Sequence, residues 1–172
     1  MRQDPGSIAR RLFVAGALVL VCAPALAAPR DRAPYAMLAE IYRPGEHESA
    51  FGLDAEERAA YFSKTVLELW ARAEAKTQPG DAGPIDWDVS TNSHGMEVGS
   101  WSVRIARREA TRIDLVVTLT AKTPWFRKSP DENVVRYHFI REHGRWVIDD
   151  IRHADDAEHN GLKSLLKRAA ND

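Results

Sequence analysis

The apolar residues of this chain change their spacing once, and that change constrains the fold more than any other feature. Up to about residue 75 they recur every three or four positions, and from about residue 100 every second position. The first spacing puts apolar side chains on one face of a helix, the second on one face of a strand. A chain that runs from helices to strands in this order is expected to be α+β, with an antiparallel sheet covered on one side by the helices before it. At 172 residues, with 44% hydrophobic and 28% charged positions, one domain with a real core is expected.

Residues 1–27 fall outside that pattern and read as a signal peptide. Arg2, Arg10 and Arg11 precede an apolar stretch from Leu12 to Val21, and Ala25-Leu26-Ala27 has the small residues of a cleavage site. The stretch is shorter than the roughly 20 residues of a spanning helix, so a periplasmic or secreted protein without a stable membrane span is expected. Cys22 follows the branched Val21, which disfavours a lipid anchor. Cleavage after Ala27 leaves a domain over 28–172 that has lost the only cysteine, and with it any disulfide or thiolate chemistry. The net charge of the whole chain is −1, without the basic excess of a nucleic-acid binder.

Within the domain, Pro34 to Tyr42 reads as a short helix ended by Pro44-Gly45. Residues 54–75 read as one longer helix, capped by Asp54 with Glu57 three residues on, its stripe formed by Ala59, Phe62, Val66, Leu69, Trp70 and Ala73. A loop rich in proline and glycine follows at 77–84. Strands are expected at 101–106, 113–120, 134–141 and 145–151, the last two joined through Glu142-His143-Gly144, with a polar helix over 155–172.

The ending Gly144-Arg145-Trp146-Val147-Ile148-Asp149-Asp150-Ile151, the mid-chain Pro84-Ile85-Asp86-Trp87-Asp88 and the stretch Tyr42 to Pro44 together resemble a bacterial exported family of unknown function. That family has a nuclear-transport-factor-two-like fold. The resemblance implies a cone in which a strongly curved antiparallel sheet wraps the N-terminal helices around a pocket. It implies export and no particular reaction.

Seven residues are candidates for lining such a pocket. Asp86 and Asp88 would share one side of an extended segment, with Trp87 on the other; such a pair binds a cation or supplies a general base, or else caps a turn and pairs with an arginine. Asp150 would share the side of Trp146 and Ile148 and face the interior, unless it accepts backbone N–H groups at the strand end or pairs with Arg136 or Arg104. His138 has a proton to exchange near neutral pH, and Tyr137 would face the core with its hydroxyl at the rim. His153, Asp155, Asp156, Glu158 and His159, and also Glu46, His47 and Glu48, are dense in metal donors but match no ligand spacing, so neither a metal nor another cofactor is expected. Trp125 and Phe126 beside Arg127 and Lys128 suit either a contact surface or a plug for the cone.

No phosphate loop, nucleophile elbow or zinc-protease helix is present in the sequence. The residues favour a small binding module for an unknown small molecule or protein. The alternatives are an acid-base enzyme using Asp150, His138 and Asp86 or Asp88, and an inhibitor that docks acidic loops on a toxin.

Overall fold

A computed structural model describes residues 33–43, 55–78, 80, 83–123, 133–153 and 161–171. The leader, the segments holding Glu46 to Glu48 and Trp125 to Lys128, and the stretch from Asp155 to His159 lie outside the described residues.

The two-residue alternation produces four strands: β1 (Val98–Arg108), β2 (Arg112–Ala121), β3 (Val134–Glu142) and β4 (Arg145–His153). They form one antiparallel sheet in chain order, β1-β2-β3-β4. Val117, Val135, Leu119, Tyr137, Leu115, Phe139 and Ile148 share one face and are buried, as their spacing requires. The β3–β4 turn is two residues long, with His143 at φ 49° and Gly144 at φ 80°. Two left-handed residues in succession match the twist of the strands they join, and glycine takes the second position without strain. Register shifts in β1 and β4 curve this open sheet.

Helix α1 (Pro34–Ile41) lies where the sequence places it, with Met37, Leu38, Ile41 and the following Tyr42 buried. The single helix expected over 54–75 is two helices, α2 (Ala55–Arg58) and α3 (Lys64–Glu74). The break has a backbone cause. Ile148 N–H donates to Tyr61 O at 2.8 Å and Ser63 N–H donates to Ile148 O at 2.9 Å, so residues 61–63 pair with the outer edge of β4 instead of continuing the helix. Ser63 then caps α3, its Oγ accepting from Val66 N–H at 3.3 Å. The apolar spacing continues from the break into α3 because both face the same core: Phe62, Val66, Leu69, Trp70 and Ala73 are all buried, whereas Ala59, expected at the head of the stripe, is exposed.

Arg58 holds the halves together. It donates to Glu74 Oε1 at 2.6 Å and lies 4.6 Å from the centre of the Trp70 ring. The chain closes with α4 (Leu162–Asn171), whose Leu162 and Leu166 pack into the core on α3 and β4.

Candidate functional site

The structure distributes the sequence candidates over separate places. Asp88 does not lie in an extended segment. It closes a turn in which Oδ1 accepts from Ser90 N–H at 2.8 Å and Ser90 Oγ at 2.7 Å, and Oδ2 accepts from Thr91 Oγ1 at 3.0 Å. A carboxylate with Ser and Thr two and three residues on makes such a turn readily, and its oxygens are then occupied. Asp86 is exposed and takes no part in it, so the two carboxylates do not act as a pair. Trp87 is half-buried against the core, and its indole nitrogen is buried without a partner among the described residues.

The Asp88 turn seats its backbone on the sheet. Ser90 O accepts from Tyr42 Oη at 2.8 Å, and Val89 O accepts from His153 Nε2–H at 2.9 Å. Tyr137 Oη lies 2.7 Å from Tyr42 Oη. Tyr42 has one proton and gives it to Ser90 O, so Tyr137 donates to Tyr42. The Tyr137 hydroxyl is therefore in the interior and not at a rim; the residue is fully buried. Burial raises the pKa of both phenols above the ordinary value, and the nearby negative charge of Asp88 adds to the effect.

Asp150 is on the opposite face from the one its spacing suggests. Phe139 pairs with Ile148 and His138 with Asp150, so Asp149 is an extra residue between them, and the alternation restarts after it. Asp150 therefore shares the outer face with His138, while Ile148 and Ile151 both reach the core. Its carboxylate accepts from Arg152 Nε at 2.7 Å, Ile151 N–H at 3.1 Å and the α4 backbone at Lys163 N–H at 3.1 Å. Its cation is Arg152, not Arg136 or Arg104. Trp146 stands at the hairpin end, half-buried, with the Arg141 guanidinium 5.0 Å from its ring centre.

His138 heads a cluster that the sequence shows only in part. Its Nδ1 is 2.9 Å from Asp114 Oδ1, and Arg112 donates to both oxygens of Asp114, from Nε at 3.0 Å and Nη2 at 3.1 Å. An ionised carboxylate only accepts, so the bond to Asp114 needs the hydrogen on Nδ1. Arg112 Nη2, 3.2 Å from the same nitrogen, then donates to Asp114 and not to the ring. Burial opposes the charge on Asp114, but the hydrogen bonds and positive charge of Arg112 and His138 overcome it and hold the carboxyl below its ordinary pKa. The remaining ring nitrogen, Nε2, is buried and without a partner among the described residues. Arg112 and Asp114 flank Ile113, so their shared polar face was legible; their meeting with His138 depends on β2–β3 register.

The exposed large apolar side chains among the described residues, Tyr35 and Ile105, are at the other edge. Trp101, Val103 and Ile105 of β1 lie on the core face of the sheet, but the helices do not reach across them: Trp101 and Val103 are half-buried and Ile105 is 55% exposed. Tyr35 of α1 is 59% exposed, with its ring 5.6 Å from Trp101, which lies 5.6 Å from Tyr42. These rings run from the surface to the buried Tyr42–Tyr137 pair as one ledge. The alternation identifies which face Trp101 and Ile105 occupy. Which strand is left at an uncovered edge is a property of topology.

Among the described residues no group of three potential metal donors converges, and no helix is long and apolar enough to cross a membrane. No family model, curated protein or solved structure matches the chain.

Proposed function

We propose that the chain is an exported binding module with no reaction of its own, built as a nuclear-transport-factor-two-like cone, holding a small molecule or protein at the mouth of the layer along β1. The observation that carries this reading is the contrast between the two kinds of candidate surface. The polar groups of Asp88, Tyr137 and Asp150 are spent on internal hydrogen bonds, while Tyr35 and Ile105 are exposed beside the half-buried Trp101 and Val103 and present apolar area that no described residue closes over. Exposed apolar patches of this kind mark contact sites. The Asp114–His138 pair resembles half of an acid-base catalyst, but the nitrogen that would exchange a proton with substrate is closed off.

The test uses the apolar dye 1-anilinonaphthalene-8-sulfonate as probe, followed by amide NMR shifts. The expected result is perturbation at residues 100–105 and weaker binding in Ile105→Ser with an unchanged melting temperature. Dye shifts elsewhere, or equal binding by that variant, would exclude the ledge. Export is tested by N-terminal sequencing of protein from the cell envelope: a start at Ala28 is expected, and an intact Met1 would overturn it.

A further inference from the structure

Four residues form one row across the face of the sheet opposite the core. Arg104 of β1 pairs with Val116 of β2, Val116 with Arg136 of β3, and Arg136 with Arg152 of β4. Neighbouring strands lie about 4.8 Å apart, so Arg104 and Arg136 stand about 10 Å from each other with Val116 between them. Val116 is only 3% exposed although it points away from the core. Its cross-strand neighbours are the two arginines, whose apolar stems are long enough to cover it while their guanidinium heads stay in water. Arg104 is exposed and Arg136 half-buried.

The charge of this row is not balanced on the face itself. Asp114 is taken by Arg112 and His138, Asp150 by Arg152, and Arg107 is bound to Glu109. Arg104 and Arg136 have no hydrogen bond or ion pair among the described residues. Arg136 also stands directly opposite Arg152, and like charges so placed destabilise a ladder, a cost that a bound anion would offset. The next row brings in the exposed Ser102 and Thr118, and Thr118 is diagonal to both Arg104 and Arg136. It adds hydroxyl donors and no acid.

The spacing also selects among anions. A carboxylate has two oxygens and meets one guanidinium fork, whereas a phosphate monoester presents three terminal oxygens and up to two charges, enough for two forks at once. We infer that the outer face over Val116 holds a phosphate monoester group, gripped by Arg104 and Arg136 with the Thr118 hydroxyl as a further donor. Trp101 and Ile105 lie on the other face of the sheet, so this site stands or falls independently of the ledge.

The experiment uses the full chain, with inorganic phosphate as probe and sodium chloride at matched ionic strength as control. Saturable shifts of the Val116 methyls and of the Arg104 and Arg136 Nε–H signals are expected with phosphate, and none with chloride. Arg104→Gln and Arg136→Gln should each weaken binding about tenfold, the loss of one charge-assisted fork. Arg104→Lys, which keeps the charge without the fork, should restore only part of it. Ile105→Ser should bind phosphate as the native chain does. Vesicles of phosphatidic acid, set against phosphatidylcholine, distinguish the source of the phosphate. Cosedimentation with the former assigns a lipid headgroup; phosphate shifts without cosedimentation assign a soluble ester, and both results support the site.

No saturation by about 10 mM phosphate would overturn the assignment, as would equal shifts with acetate or full recovery in Arg104→Lys. A short DNA duplex that shifts Val116 while phosphate does not would also overturn it, in favour of a polyanion surface. Arg104 is exposed, so its variants decide the matter even if Arg136→Gln lowers the melting temperature.

Discussion

Asp149 and Asp150, adjacent on β4, hold the first turns of two different helices. Asp149 Oδ1 accepts from Ser63 Oγ, the cap of α3, at 2.9 Å, and its Oδ2 accepts from Lys163 Nζ of α4 at 2.9 Å. Asp150 accepts from the α4 backbone itself. The bulge allows this, because an extra residue turns successive carboxylates toward different partners. Asp150→Ala should cost about 1 to 3 kcal/mol, since it strands buried N–H groups at Ile151 and Lys163. Asp149→Ala should cost less, about 1 kcal/mol, since it strands one buried hydroxyl, that of Ser63, while the Lys163 ammonium can turn toward water. Urea unfolding of the two variants checks the order, and a costlier Asp149→Ala would contradict it.

Gly161 is the residue against which Asp150 closes. A Cβ placed there would lie 2.9 Å from Asp150 Oδ2 and 3.1 Å from Arg152 Cγ, closer than carbon tolerates. Gly161 O also accepts the first α4 bonds, from Ser164 and Leu165 N–H. Gly161→Ala should therefore push the carboxylate off Lys163 N–H and destabilise the protein by about 1 to 2 kcal/mol, the cost of a lost buried bond. In an Asp150→Ala background the same change should cost much less. A double-mutant cycle measures this, and additive costs would show that the two residues act separately.

Asp114 sets an acid limit on stability. Its pKa is held below the unfolded value by Arg112 and His138 against the effect of burial, so the ionised form is the one that favours folding. A depressed carboxyl contributes stability that is fully present above its unfolded pKa and is lost as pH falls through the folded one. The stability gap between the native chain and Asp114→Asn should be constant near neutrality and narrow below about pH 4. Chemical unfolding at stepped pH gives the gap directly. A gap that widens on acidification would assign the linkage to another group.

How far the sequence reaches is set by the range of the interaction that decides each feature. Period-two spacing in Ile113 to Leu119 and Val135 to Phe139 reports burial of one face, and those residues are where it places them. His143-Gly144 is a local preference and reads as a turn. The break at Tyr61 to Ser63 depends on β4, more than eighty residues away, so a continuous apolar stripe conceals it. The extra residue at Asp149 is equally silent, because Trp146, Ile148 and Asp150 alternate correctly until the register is known, and one inserted position moves Asp150 to the other face. Asp88 is the opposite case: Ser90 and Thr91 close its turn locally, and capping a turn is one of the readings that its sequence allows.

The Tyr42–Tyr137 pair allows a prediction in which two similar deletions differ in cost. Tyr137 donates to Tyr42, and Tyr42 donates to Ser90 O. Removing the Tyr137 hydroxyl leaves Tyr42 still bonded to Ser90, with only a spare acceptor unmet. Removing the Tyr42 hydroxyl leaves both the Ser90 carbonyl and the Tyr137 proton without their partner in a site closed to water. Tyr42→Phe should therefore cost about 2 kcal/mol and Tyr137→Phe less than about 1 kcal/mol, because an orphaned buried donor costs more than an unused lone pair. Thermal unfolding of the two variants and the double variant resolves the asymmetry. The double variant should be no worse than Tyr42→Phe alone, since it removes the stranded proton as well. Equal costs for the two single changes would reverse the assigned direction of the hydrogen bonds.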